Sequence, residues 1–145
     1  MKKGTRVTLG QRLRSVAQAT PDRQAIADSS GCILTYREVL QQAEHLAGWL
    51  TTARASEANI GVYLPSSTAA AVANYAITLA GKVAVNLNFT AGEQYCRAAI
   101  EFCGLQTIFS SRAFLAKLGT KPVEEMVFLE DLPSEGSRPK SVADP

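Results

Sequence analysis

The chain has 145 residues and a mass of 15.5 kDa, with 46% hydrophobic and 19% charged residues, enough for one globular domain with a real core. This composition excludes a disordered chain, a collagen-like repeat and a disulfide-stapled miniprotein. Fifteen Lys and Arg against thirteen Asp and Glu leave a net charge of only +2, too small a surplus to point to nucleic acid.

The first helix is announced by Thr8 with Gln11 three residues on, a capping-box spacing. Leu9, Leu13, Val16 and Ala17 share one face of it, and Pro21 closes the segment. Gln24–Asp28 and Cys32–Thr35 read as a β-hairpin around Ser29-Ser30-Gly31, with Gly31 free to take positive φ. Thr35 and Glu38 form a second capping box, and Val39, Leu40, Ala43, Leu46, Ala47 and Leu50 make the apolar stripe of the helix it opens. A strand at Asn59–Leu64 ends at Pro65, and Ser66 or Ser67 caps a helix that stops at Gly81. The next strand is Val83–Leu87. Thr90 with Glu93 predicts a third capping box and a helix to Gly104, followed by strand Leu105–Phe109, helix Ser111–Leu118 and strand Met126–Leu129.

From Asn59 onward strand and helix alternate with short connections. The fold class is therefore α/β: an N-terminal hairpin, then βα repeats forming a mostly parallel sheet with helices on both faces. Residues 1–132 make this unit. Residues 133–145, with three prolines and three serines, read as a linker or untethered tail. Ala69–Val85 is the one stretch to weigh against a membrane span, but Asn74, Thr78, Gly81 and Lys82 interrupt it, so it reads as a buried helix and a strand.

Little in the chain advertises chemistry. There is no G-x-G-x-x-G and no G-x-x-x-x-G-K-[ST]; Gly81-Lys82 reads as a helix end. His45, the single histidine, lies off its helix stripe and reads as a flanking or solvent-facing residue. Cys96 and Cys103 are seven apart on one helix, about 10 Å at the α-helical rise, too far for a disulfide and poor for chelation. With Ala99 and Ile100 they form a predicted buried stripe of inert core thiols. Glu124-Glu125 and Glu130-Asp131 read as solvated loop and strand-end charges. Five basic residues and no acid fall in the first fourteen positions; a solvated terminus is the expectation, with contact to an acidic carrier or lipid surface as the alternative. The odd cysteine count, with no signal-peptide core after Met1-Lys2-Lys3-Gly4, favours a reducing, cytoplasmic setting. No catalytic, cofactor-binding or metal residue is assigned. A binding module and part of an enzyme both remain open.

The segments do resemble a known family. Leu34-Thr35-Tyr36-Arg37-Glu38-Val39-Leu40 resembles the L-T-Y-x-E-L element of adenylate-forming enzymes (the AMP-dependent synthetase/ligases). Ile60-Gly61-Val62-Tyr63-Leu64-Pro65-Ser66-Ser67 resembles their V-G-V-x-L-P-N-S strand and turn, and Leu79-Ala80-Gly81-Lys82-Val83 with Asn86-Leu87-Asn88 their L-x-A-G-A-V…P-L-N-P stretch. Asn88-Phe89-Thr90-Ala91-Gly92, Thr107–Leu115 and Val127–Leu132 are most similar to the acyl-carrier-protein synthetase domain of bifunctional acyltransferase–synthetases.

The resemblance implies an N-terminal piece of an acid–thiol ligase. Such an enzyme uses ATP and Mg²⁺ to make an acyl-adenylate from a fatty acid, then passes the acyl group to a phosphopantetheine thiol on acyl carrier protein or coenzyme A. It further implies a cytoplasmic enzyme, the full-length protein lying at the cytoplasmic face of the inner membrane. The family's phosphate loop, adenine motif and catalytic lysine have no counterpart among these residues, so the piece is expected to be inactive alone. In α/β sheets ligands sit beyond the carboxyl ends of strands, so Pro65–Thr68, Asn88–Gly92 and Ser110–Arg112 are the loops expected to touch substrate. The remainder of the synthetase is the expected partner. The mostly apolar strands Ile60–Leu64, Val83–Leu87 and Leu105–Phe109 lead to an expectation of exposed apolar surface and self-association. A freestanding flavodoxin-like binding or regulatory module is the alternative.

Overall fold

The computed structural model describes Gly4 and residues 6–133; the expected linker, Pro133 apart, lies outside the described residues. Capping chemistry sets the first two helices. Thr8 and Gln11 bond reciprocally at the start of α1 (Leu9–Ala19), and Thr35 and Glu38 do the same for α2 (Tyr36–Ala53). Between them β1 (Gln24–Ala27) and β2 (Ile33–Thr35) pair antiparallel, with Gly31 at φ +87° in the turn. The apolar stripe of α2 is buried at Val39, Ala43, Leu46, Ala47 and Leu50. The α1 face is rotated from expectation: Leu9 is 56% exposed, while Leu13 and Ala17 are buried. Gly10 is the reason, since a Cβ there would lie 2.7 Å from Leu79, so the helix packs through its glycine and turns Leu9 outward.

The remaining elements alternate as expected: β3 (Asn59–Val62), α3 (Thr68–Leu79), β4 (Val83–Asn86), α4 (Glu93–Cys103), β5 (Ile108–Ser110), α5 (Arg112–Leu118) and β6 (Met126–Phe128), with a 3-10 turn at Leu129–Asp131. The four strands are parallel in the order β4-β3-β5-β6. Ser67 is the cap of α3, accepting from the Ala70 N–H at 3.1 Å. The third predicted capping box does not form. Asn88 takes both the Thr90 N–H (3.0 Å) and its hydroxyl (2.7 Å) in a local turn, so Thr90 cannot reach Glu93. Gly92, at φ +92°, becomes the N-cap and carries no side-chain cap.

Helices lie on both sheet faces. Leu13, the α2 stripe and Val72, Ala73, Ala76 and Ile77 of α3 pack with Ile60, Val62 and Phe109 on one face. Ile100 of α4 and Phe114 and Leu115 of α5 pack with Tyr63, Leu87 and Ile108 on the other. The inner strands β3 and β5 are thus covered on both sides, whereas β4, though mostly apolar, is an edge with Val83 58% exposed. The large exposed apolar groups lie away from the inner strands, most of all Phe102 of α4 at 93%.

At the amino end of the sheet, Lys82 donates to the Arg54 and Glu57 carbonyls at 2.8 and 2.5 Å, tying the α2–β3 connection. Arg54 reaches the Thr107 hydroxyl at 2.9 Å, and Thr107 donates to Glu57 at 3.1 Å. Lys82 is therefore a structural tie, and Gly81-Lys82 closes a helix.

Gly61 is the tightest point of β3: an added Cβ would meet Ile108 Cγ1 at 2.8 Å and Leu105 Cδ1 at 3.1 Å, both buried. Gly61→Ala is expected to cost about 1–3 kcal/mol through overpacking. Gly48→Ala, in mid-helix with nothing within 4 Å, is expected to stabilise by up to about 1 kcal/mol. Urea unfolding of the two variants checks this pair of opposite signs.

Candidate functional site

Parallel pairing puts the carboxyl ends of β3, β4, β5 and β6 on one edge, and the three loops singled out in the sequence all lie there. The chain turns in opposite directions after β3 and after β5: α3 lies on one face and α4 and α5 on the other. The point between β3 and β5 is therefore the topological switch of the sheet, where open α/β folds place ligands.

The edge is built by specific side chains. Ser110, fully buried, donates its hydroxyl to the Tyr63 carbonyl at 2.9 Å and so locks the loop after β5 to the end of β3. Asn86 and Asn74 exchange amide hydrogen bonds of 2.8 and 3.0 Å, fixing the end of β4 to α3. Phe89 then turns inward against Phe114, with ring centroids 5.0 Å apart, and Tyr63, at 6.4 Å. Phe89 is thus an aromatic anchor for the loop after β4.

The starts of α3 and α5 at this edge already hold carboxylates of the chain, whereas α4 begins at Gly92 without one. Asp28, from the hairpin, accepts the Thr68 N–H of α3 at 2.9 Å and bonds to Ser30. Hydrogen bonds from the Ser30 hydroxyl first, and then the Thr68 backbone N–H, hold its carboxyl well below the ordinary value. At α5, Glu130 accepts the Ser111 hydroxyl at 2.6 Å and the Arg112 N–H at 3.2 Å. Asp131 takes Arg112 bidentately at 2.5 and 2.6 Å, which lowers the Asp131 carboxyl and raises the Arg112 guanidinium. The Glu130-Asp131 pair, expected as loose strand-end charge, is thus an exposed but fully engaged clamp. Glu125 departs further from expectation: one carboxylate oxygen is buried with no hydrogen-bond partner among the described residues, and the other is 3.8 Å from Arg97.

His45 is exposed, as expected, but its Nε2 lies 2.5 Å from the Pro133 carbonyl and pins the outgoing chain to α2. The predicted cysteine stripe is only partly right. Ile100 alone is buried; Cys96, Ala99 and Cys103 are half-buried, because α5 is short and leaves α4 incompletely covered. Cys96 lines a cleft of about 530 Å³ between α4 and the end of α5, a feature that no motif in the sequence announced. Burial raises the Cys96 thiol, and the Tyr63 phenol on the same cleft is raised chiefly for the same reason. Among the described residues there is no cluster of metal-ligating side chains and no helix long and apolar enough to cross a membrane.

The AMP-binding enzyme family model matches residues 13–144. The chain belongs to this family. A hybrid PKS-NRPS synthetase of Petromyces alliaceus, buaA, is 34% identical over 79 residues, spanning 54% of this chain and 2% of that protein. Among solved structures, the N-terminal subdomain of Klebsiella oxytoca NpsA in complex with 3-hydroxybenzoyl-AMSN superposes with TM-score 0.70 at 19% identity, over 83% of this chain and 30% of that one. The AMPPNP-bound nonribosomal peptide synthetase FmoA3 gives TM-score 0.76 at 21% identity, over 88% and 14%. The chain therefore has the fold of an adenylate-forming N-terminal subdomain and spans less than a third of each of these relatives.

The carboxylates described at this edge offer no ready set of ligands for Mg²⁺. Asp28, Glu130 and Asp131, the carboxylates engaged at this edge, already hold backbone N–H groups, hydroxyls or Arg112, and the α3 start is filled by Asp28.

Two outcomes are expected. The Asp28 contribution is present in full above the ordinary carboxyl value of 3.8 and is lost as pH falls through the lower folded value. Asp28→Asn is therefore less stable than the parent at neutral pH, and thermal unfolding of the two chains converges as acid is added below about pH 4. For the thiols, exposed Cys32 is modified first by iodoacetamide and Cys96 roughly tenfold more slowly. Peptide mapping that found Cys96 as fast as Cys32 would show α4 misplaced.

Proposed function

We propose that this chain is the N-terminal part of an ATP-dependent acyl-activating ligase. The whole enzyme joins a fatty acid to AMP and passes the acyl group to a phosphopantetheine thiol on acyl carrier protein or coenzyme A. The observation that carries the proposal is the family match over residues 13–144, on a chain whose strand-end edge is built as a scaffold with its own carboxylates on the starts of α3 and α5. The fatty-acid reading draws its support from Asn88-Phe89-Thr90-Ala91-Gly92 and the segments after it, which resemble acyl-carrier-protein synthetases. ATP, Mg²⁺ and the catalytic groups would be held by other parts of the enzyme. A cytoplasmic location suits this chemistry.

A second reading keeps the adenylate and the carrier thiol but changes the acid to an amino or aryl acid, as in a peptide synthetase. The 34% identity to the hybrid PKS-NRPS synthetase favours it. Both readings predict that the 145-residue chain alone gives no acid-dependent ATP–pyrophosphate exchange, because the family's phosphate loop, which positions and neutralises the phosphates, has no counterpart among these residues. Exchange above background by the purified chain would overturn both. The whole protein expressed from its gene, assayed with fatty, aryl and amino acids, separates them: exchange with fatty acids alone supports the first reading, and exchange with amino or aryl acids replaces it with the second.

A further inference from the structure

The apolar strands do not supply the exposed surface expected of them, because helices cover β3 and β5 on both faces. Helix α4 supplies it instead. Ile100 turns one side of α4 into the core, while Tyr95 and Phe102 stand 55% and 93% exposed, outside both core clusters. At about 100° per residue, Tyr95, Ala98, Ala99 and Phe102 fall at i, i+3, i+4 and i+7, one stripe directed away from Ile100. That is the spacing of a helix-docking seam, with aromatic knobs at its ends and small residues in its middle. Ala98 also floors a shallow concavity of about 370 Å³, walled by Gln94, Arg97 and Glu101. Knob and hole thus lie on one helix, a single turn apart.

We propose that two copies of this chain pair through α4, antiparallel about a two-fold axis between Ala98 and Ala99. A seam that carries both a knob and its hole is self-complementary, as an isologous interface requires. Tyr95 and Phe102 each lie about 5 Å from that axis along the helix, so antiparallel alignment sets Phe102 of each copy beside Tyr95 of the other. The Phe102 ring then drops over Ala98 of the second copy, where Arg97 on the wall of the concavity can stack on it. At the rim Glu101 meets Gln94 of the other copy, an acceptor against a donor, so no like charges confront each other. Four aromatic rings and the alanines between them bury on the order of 800 Å² in all, short of the roughly 1,200 Å² at which stable complexes begin. The dimer is therefore weak but closed, with a Kd on the order of 0.1 mM. The proposal goes beyond the ligase reading and does not rest on it.

Sedimentation velocity of the 145-residue chain, from about 5 µM to about 1 mM, brackets this Kd and tests the pairing. The mass is expected to rise from monomer and to level toward twice that value. Phe102→Glu and Tyr95→Glu are each expected to weaken pairing about tenfold or more, since each change is felt twice across the axis. Both side chains face solvent, so thermal unfolding of the dilute variants should match the parent. Leu9→Glu and Val83→Glu, at exposed apolar positions of α1 and β4, are expected to leave pairing unchanged. Gln94→Lys, which sets a cation opposite Glu101 of the second copy, is expected to tighten pairing about two- to fivefold at low salt, and Gln94→Glu to weaken it. A monomer at every concentration, growth past the dimer, or pairing that survives both Phe102→Glu and Tyr95→Glu would each overturn the proposal. So would loss of pairing in Leu9→Glu or Val83→Glu, or indifference to both changes at Gln94.

Discussion

Gly61 donates its N–H to the Thr107 carbonyl and Tyr63 donates to Phe109, both at 2.9 Å, and these bonds hold β5 beside β3. The two strands are distant in sequence, and β4 with two helices intervenes, so this pairing decides which helices fall on which face. Once β5 lies there, alternation along β3 sends Ile60 and Val62 toward α2 and α3 and Tyr63 toward α4 and α5. The close approach is possible because position 61 has no side chain. A Cβ would push against Ile108, and moving Ile108 would disturb both β5 and the floor of the cleft.

The same pairing creates the edge at which the three loops meet, and the chain has filled that edge with its own groups. Asp28 crosses from the hairpin to the start of α3, and Glu130 crosses from the end of β6 to the start of α5. Helix starts attract anions because their first N–H groups have no partner within the helix. At α3 and α5 internal carboxylates answer that demand, while the start of α4 at Gly92 has no side-chain cap.

Much of this could be read from the residues. Thr8 with Gln11 and Thr35 with Glu38 are reciprocal local bonds, so sequence spacing alone determines them. Thr90 with Glu93 has the same spacing and fails, because Asn88 competes for the same hydroxyl and the motif says nothing of that neighbour. Leu9 and the cysteine stripe fail for another reason. Helical periodicity gives a face but not its phase against the partner, and Gly10 on Leu79 rotates α1 while the shortness of α5 uncovers α4. Strand β5 runs Ile108–Ser110 instead of Leu105–Phe109 because Ser110 can be buried once its hydroxyl has the Tyr63 carbonyl, a contact between residues 47 apart. The loops were legible as loops; that their carboxylates and aromatics would close on one another was a tertiary fact.

The clasp of the outgoing chain has a mechanical side. Leu132 packs against the core cluster shared by α2 and α3, and the Pro133 carbonyl meets His45 on α2. A pull transmitted through Pro133 would first load that clasp and the helix layer behind it. The ladder between β6 and β5 would be strained only after the clasp had given way, when the 3-10 turn at Leu129–Asp131 could straighten as slack. Residues 129–133 would therefore take up strain before the sheet does.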